Sequence, residues 1–460
     1  MGSEAIVLLP GLLACWFAVT RSLEAALFSV YLPVLMLIPD YFRMPIDGFP
    51  DPGFGQTTIL PIGIGICYVA LFERRWRVSA LDIFVLAFVA WQFTSNFYNL
   101  GYKEAQNNLF DQLTLAVFPY MAGKALIESA GMRIRFARRF VFLLFAVTVI
   151  SAYEFRMGDN LFRPLVGPFF PGQDPGSFTQ MRWGFGRIGG PYVHAIFMCA
   201  ILGIGYVLCR WLVSAKLWEP RFRWLRGLPL KKGTVISAVL LIGMFMTLSR
   251  GPWIGAACGA VLASVGTKAN RRRALTRAVL ILVGSGLILY TAGKAYLDGV
   301  SAFEGVEEQA SAQYRAVLLE EYDKIVMQSP IFGWGHVNWP RVPGMPSIDN
   351  NYLYTALGSG VVGSGLLAIM LAVGIWRTFS GGFFVKDLDP TERSFRFTMM
   401  GIMIGIAIST GTCYLASQLY PLLYLFLGWG EAAILTKPAP AESLALEPAA
   451  AGFRMTRVIA

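Results

Sequence analysis

The 460-residue chain is 55% hydrophobic and 15% charged, with a mean hydropathy of +0.55, whereas a soluble domain carries roughly 25% charged residues. Its apolar residues gather in blocks close to the roughly 20 that a helix needs to cross the hydrocarbon core, which excludes a string of soluble domains and an outer-membrane barrel. The net charge of +11 does not call for nucleic acid, because in a membrane protein a basic excess records which loops stay in the cytoplasm.

The blocks run Ala5 to Thr20, Ala25 to Pro39, Thr57 to Phe72, Ala80 to Tyr98, Gln112 to Ile127, Phe140 to Tyr153, Pro191 to Cys209, Gly233 to Ser249, Pro252 to Gly266, Ala278 to Gly293, Tyr352 to Trp376, Phe397 to Cys413 and Leu415 to Leu435. They predict an all-α polytopic transmembrane bundle of about 12 to 13 spans. Only Arg21 to Glu24 separates the first two, so these form a tight hairpin or include a re-entrant segment. Met1-Gly2-Ser3-Glu4 lacks the basic region of a cleavable signal, and the first block is expected to be retained. Residues 1–436 read as one integral membrane domain, and 437–460, rich in Ala, Pro and Glu, as a flexible cytoplasmic tail. The six cysteines sit in or at the ends of blocks without a CxxC pair, and the only histidines are His194 and His336. Neither a structural disulfide nor a metal centre is expected from them.

Placing the connections alternately on two sides puts 26 Lys and Arg in one group: Glu73 to Arg77, Arg133 to Arg139, Arg210 to Lys232, Lys268 to Arg277, Arg377 to Arg396 and the tail from Lys437. The longer loops of the other group, around Arg43, Lys103, Arg156 to Arg187, Arg250 and Lys294 to Arg341, hold 11. The positive-inside rule makes the first group cytoplasmic and the second outward. Two outward loops, about 154–190 and 294–351, are too long to be simple connections. The first is dense in Gly, Pro and aromatics and reads as an ordered non-helical loop. The second holds a helix-like stretch, Val306 to Met327, whose apolar Val306, Ala310, Tyr314, Val317, Leu318, Ile325 and Val326 recur every three or four residues. Such a helix lies along the membrane surface as a lid.

Three constellations at the outward side carry chemistry. In Thr247-Leu248-Ser249-Arg250-Gly251-Pro252, a guanidinium beside a Gly-Pro break and the Ser249 hydroxyl form an anion site, although a turn with a snorkelling arginine gives the same pattern. Gln313-Tyr314-Arg315 precedes Pro330-Ile331-Phe332-Gly333-Trp334-Gly335-His336, whose glycines let backbone approach a ligand; alone, Arg315 reads equally as a solvated helix arginine. Ser347-Ile348-Asp349-Asn350-Asn351-Tyr352 enters a Gly-rich span with more polar side chains than one helix cap requires, which makes Asp349 a candidate base. Arg182 and Arg187, set among glycines and rings, suit a phosphate or sugar, or a structural loop; His194 is a further candidate or a packing histidine.

The order of these motifs, from Thr247 to Gly365, resembles the O-antigen ligase and polymerase superfamily of bacterial envelopes. The resemblance implies a multi-pass glycosyltransferase of the bacterial inner membrane, acting on its periplasmic face with a glycan donor carried on undecaprenyl diphosphate. It implies no cofactor, nucleotide sugar or metal, and as partners the lipid-linked glycan, membrane lipid and polysaccharide chain-length or export proteins. Arg250 and Arg315 then hold the pyrophosphate, Asp349 orients or deprotonates the attacking hydroxyl with Asn350 or His336, and Arg182, Arg187 and His194 bind acceptor glycan. Ser249 and Tyr352 complete the expected substrate-binding set. Ligases of the family generally carry a His-Asn pair where this chain has Asp349-Asn350. That departure shifts the expectation to a polymerase of exopolysaccharide or O-antigen repeat units, with a ligase as the alternative through His336. A transporter of lipid-linked glycan needs ionisable residues at mid-membrane, whereas Asp82 and Glu431 lie near span ends.

Overall fold

The computed structural model describes residues 2–72, 76–173, 176–218, 231–298, 307–345, 347–416 and 418–436. The tail from Lys437 and most of the basic run Arg221 to Lys232 lie outside the described residues. Helices follow one another as α1 (Ser3–Thr20), α2 (Leu23–Leu37), α3 (Phe54–Phe72) and α4 (Ala80–Leu100). Helix α5 comprises Tyr102–Gln112, a π-helical turn at Leu113–Val117 and Phe118–Leu126. Then come α6 (Arg133–Met157), α7 (Ala195–Ser214), α8 (Lys232–Met246), α9 (Arg250–Val265), α10 (Arg271–Asp298), α11 (Glu307–Val326), α12 (Asn351–Phe383), α13 (Pro390–Thr410) and α14 (Leu419–Leu435). All thirteen apolar blocks coincide with helix. Among the described residues, seven helices (α1, α3, α4, α6, α7, α10 and α12) are long and apolar enough to cross a membrane, and α2, α8 and α14 are shorter apolar helices. The first two blocks make a hairpin: the Arg21 amide closes α1 on the Phe17 carbonyl, and Ser22 caps α2 through the Ala25 amide.

Charged side chains gather where the basic loops are. Lys124 meets Asp82 at 2.6 Å, Arg377 grips Glu431 bidentately at 2.6 and 2.7 Å, and Arg133 bridges Glu128 and Glu392. These pairs tie the start of α4 to α5, the end of α12 to the end of α14, and α6 to α13, so they mark one end of the bundle. The opposite end holds the long loops. There the Gln418 amide donates to the carbonyls of Ile38 (2.9 Å) and Pro191 (3.3 Å), and the Leu415 amide to Asn351 Oδ1 (2.9 Å).

Two packing devices fix that second end. Helices α9 and α13 each carry a Gly-x-x-x-Gly pair, Gly255 with Gly259 and Gly401 with Gly405, and a Cβ at Gly255, Gly259 or Gly401 would run into backbone of the other helix. In a bilayer, where lipid competes equally for apolar surface, such close approach is what drives helices together. It seats Gly251 of α9 against Thr412, just past α13.

The other device is a rupture in α12, at Ser359 (φ −131°) and Gly360 (φ +73°). A broken helix frees backbone groups that hydrocarbon cannot satisfy. Here the turn Pro330–Gly335 supplies the partners. The Trp334 and Gly335 amides donate to the carbonyls of Leu357 (2.8 Å) and Gly358 (2.9 Å), and the Val361 amide donates to Pro330 (2.7 Å). From α4, Trp91 Nε1 donates to the Ser359 carbonyl at 2.8 Å and Ser95 Oγ to Gly358 at 3.0 Å. The glycines expected to approach a ligand therefore approach α12 instead.

Helix α11 packs on the short half of α12 ahead of the break. Leu318, Tyr322, Ile325 and Val326 form a cluster with Trp339, Ile348, Leu353 and Leu357, and Tyr314 leans on it. Val317, assigned to this face from spacing, is 43% exposed; Tyr322 takes its place, its hydroxyl bonded to the Met345 carbonyl and the Val342 amide. Val306 lies outside the described residues.

Gly360→Ala should destabilise the protein by about 2–4 kcal/mol, because a Cβ there collides with the Ile331 carbonyl at a positive φ. Gly365→Ala, with open space around it, should be neutral. Thermal unfolding of the two variants in one detergent compares them directly.

Candidate active site at the loop-rich end

The Thr247–Arg250 turn is held from outside by the first long loop. Residues Met181–Arg182 (β1) and Phe185–Gly186 (β2) pair antiparallel, with Trp183 (φ 54°) and Gly184 (φ 78°) as the reversing residues of a tight hairpin. From this hairpin Arg182 Nη1 donates to the Leu248 carbonyl at 2.9 Å. Buried Arg187 donates to the Thr247 carbonyl (3.2 Å), Ser249 Oγ (2.9 Å) and Gln180 Oε1 (2.5 Å). Leu248 is thereby kept at φ 51°, a conformation a branched residue adopts only when its surroundings impose it. Arg182 and Arg187, expected to touch glycan, act as struts for the turn that presents exposed Arg250, whose guanidinium lies 5.8 Å from the Trp183 ring centroid. Ser249 is likewise engaged by Arg187.

His194, another expected glycan contact, caps α7: its Nδ1 accepts from the Ile196 amide at 3.2 Å. Burial and the positive field of Arg187, Arg163 and Arg182 push its pKa down to about 4. The loop is closed from beneath by buried Glu154, which accepts from the amides of Gly189 (3.1 Å) and Gly190 (2.9 Å) and from Asn160 Nδ2 (3.0 Å). A lone Glu at the end of an apolar block gave no sequence sign of that role.

Asn350 is the N-cap of α12, its Oδ1 accepting from the Tyr352 and Leu353 amides at 2.9 and 3.1 Å. The Tyr352 hydroxyl is tied to the Ala407 carbonyl at 3.0 Å. Both side chains thus serve the fold. Asp349 stays half-buried and, among the described residues, its side chain has one partner, Ser347 Oγ at 3.1 Å. Arg315 is half-buried on the lid helix, and its Nε is enclosed with no hydrogen-bond partner among the described residues. Two of the constellations meet at the connection between α13 and α14: Gly251, next to Arg250, packs on Thr412, and Asn351, two residues after Asp349, accepts from the Leu415 amide.

Beside this point a cavity of about 470 Å³ runs into the bundle between α4, α5, α12 and α14. His336 lines it, with its amide on Asn96 Oδ1 (2.8 Å) and its Nδ1 3.5 Å from the Tyr354 hydroxyl. The Tyr354 ring stacks on Tyr414 with centroids 5.9 Å apart. Opposite lie residues that no motif flagged: Asp40 and Arg43 from the α2–α3 loop and Asp111 on α5. Gln56 joins them, accepting from Arg43 and donating to Asp111 Oδ1 at 2.7 Å. Burial raises the carboxyls of Asp40 and Asp111 above the ordinary range, opposed by Arg43. Burial also holds the His336 imidazole below its usual value, against Asp111 and Glu104.

The helices define a polytopic membrane protein whose polar machinery sits at one end of the bundle. Residues 235–368 match the family model described as O-Antigen ligase. The match runs from α8 into α12, less than a third of the chain, and covers the constellations that carry the resemblance to the O-antigen ligase and polymerase superfamily. No curated protein matches the chain.

Arg187→Ala removes three hydrogen bonds and should cost about 2–4 kcal/mol, and activity should fall with it because Arg250 loses its support; Arg182→Ala, losing one bond, should cost about 1 kcal/mol. Denaturant titration of the purified variants measures both. His194 contributes a pH dependence of known sign: between about 6.5 and about 4 the unfolded chain binds a proton that the folded chain refuses, so stability falls as pH is lowered through that window. His194→Asn, which keeps a capping acceptor, should flatten the difference in melting temperature between pH 7 and pH 4.5.

Proposed function

We propose that the protein polymerises undecaprenyl-diphosphate-linked oligosaccharide repeat units into exopolysaccharide or O-antigen at the periplasmic face of the bacterial inner membrane. What supports this reading is half-buried Arg315 on the lid helix, its Nε enclosed without a partner among the described residues, and half-buried Asp349 at the entry to α12, both within the segment that matches the family model. In the transfer, a sugar hydroxyl of one chain attacks the anomeric carbon of the other, the bond from that carbon to the diphosphate oxygen breaks, and undecaprenyl diphosphate leaves. Guanidinium groups of Arg250 and Arg315 stabilise the charge that develops on the leaving diphosphate. Asp349 accepts the proton of the attacking hydroxyl. An acidic residue at this position, in place of the His of the ligases, favours polymerase over ligase. The name of the matched family and the presence of His336 in the neighbouring cavity keep ligation to lipid A-core as the second reading. Against a transporter stands the pairing of Asp82 and Glu431 with Lys124 and Arg377 at the far end of the bundle.

Purified protein in nanodiscs, given undecaprenyl-diphosphate repeat units and a chelator, should produce a ladder of longer lipid-linked glycans. Arg315→Ala should reduce that turnover by about 100-fold or more. Modification of a lipid A-core acceptor without a ladder would make the protein a ligase, and the absence of either product would put the transporter first.

A further inference from the structure

We propose that the cavity lined by Asp40, Arg43, Asp111, His336, Tyr354 and Tyr414 is the subsite for the acceptor glycan, and that it takes neutral or cationic sugars and rejects acidic ones. The inference rests on the glycan-polymerising reading above and adds to it a place and a selectivity.

Its volume, about 470 Å³, lies in the range of small-ligand pockets, about 300–1,000 Å³, which suits the end of an oligosaccharide. Asp40 is 7% exposed, and its carboxylate accepts no hydrogen bond among the described residues. Asn108 Oδ1, in the same lining, is also enclosed without a partner. Unmet buried acceptors cost free energy that a donor-rich ligand recovers, and the hydroxyls of a sugar are such donors. The Tyr354 and Tyr414 rings, stacked on each other, form the wall toward the Asp349 side and offer faces to the apolar side of a pyranose. Charge decides the class. Asp40, Asp111 and Glu104 face a single guanidinium, Arg43, which is already bonded to Gln56. This lining repels a diphosphate or a uronic acid, so the anionic half of the substrate belongs on the other side of the tyrosines, with Arg250 and Arg315. Tyr414 lines the cavity, and the amide of the next residue, Leu415, bonds Asn351, two residues past Asp349, so an acceptor hydroxyl leaving the cavity here would meet the base.

The test uses the full chain in nanodiscs and lipid-linked repeat units from the source organism. Asn107→Trp fills the cavity from the half-buried face of α5, and Asp40→Asn removes an acceptor at constant volume. Both should raise the apparent KM at least tenfold with kcat within threefold, whereas Arg315→Ala should lower kcat. Unchanged KM in both variants, with melting temperatures near wild type, overturns the subsite. If the wild type makes no polymer, the function proposed above fails, and the cavity is then read separately. Saturation-transfer NMR with the lipid-free repeat oligosaccharide, released by mild acid, should show binding that Asn107→Trp abolishes and Arg315→Ala keeps. Trigalacturonate at equal concentration should give no signal. Absence of binding by wild type, equal binding by Asn107→Trp, or equal binding of trigalacturonate overturns the inference.

Discussion

A helix that breaks inside a membrane must find a partner for every amide and carbonyl it releases, because no water is present to take them. In this protein that constraint sits at Ser359 and Gly360, and most of the loop-rich end follows from how it is met. The Pro330–Gly335 turn is drawn onto α12 by three backbone hydrogen bonds, and the stack of Phe332 between Trp91 and Tyr98, with centroids 5.2 and 4.8 Å away, clamps it to α4. With the turn fixed, the next residue, His336, is delivered into the cavity, and the lid helix before it is brought down onto the first two turns of α12. Asn350, Asp349 and Tyr354 take their positions from that half-helix. The repair of a backbone defect and the construction of the site are one arrangement.

Much of this was legible from period and length alone. The apolar blocks located every helix long and apolar enough to span among the described residues, because burial in lipid imposes a run of hydrophobic residues whatever the tertiary contacts. The asymmetry of Lys and Arg separated the two ends, and the structure places the ion pairs of Asp82, Glu392 and Glu431 at the basic one. What could not be read were pairings set by three-dimensional proximity. Asp40, Arg43 and Asp111 come from segments about seventy residues apart and belong to no motif. Arg182 and Arg187 look like ligands for an anion because a guanidinium that binds phosphate and one that binds carbonyls have the same sequence signature. Val317 and Tyr322 both satisfy a helical period at the edge of the lid's apolar stripe; which one turns inward depends on the loop at Val342 and Met345 that Tyr322 bonds. The Gly-rich stretch at Gly358 to Gly363 showed flexibility of backbone but not that the helix breaks there.

The site end combines two electrostatic environments separated by a short aromatic wall. The cavity lining carries three carboxylates, Asp40, Glu104 and Asp111, against the one guanidinium of Arg43, and neither Arg250 nor Arg315 belongs to it. On the function proposed above, this contrast would orient a substrate with a charged head and uncharged sugars.

Helix α10 stands apart from this tightly knit assembly. Its first turns pack on the bundle, where Ala274, Leu275 and Ala278 meet Val265 of α9 and Phe397 and Met400 of α13 and Arg271 bonds the Phe383 carbonyl of α12, whereas farther along Leu280, Ile281, Leu287, Ile288 and Tyr290 are exposed. It spans Arg271–Asp298, longer than the roughly 20 residues a bilayer requires, and such a helix answers a change in hydrocarbon thickness by changing its tilt. The same chain continues from its far end, through residues 299–306, toward the helix that carries Arg315, so the segment most exposed to its surroundings is also the one that leads into the lid.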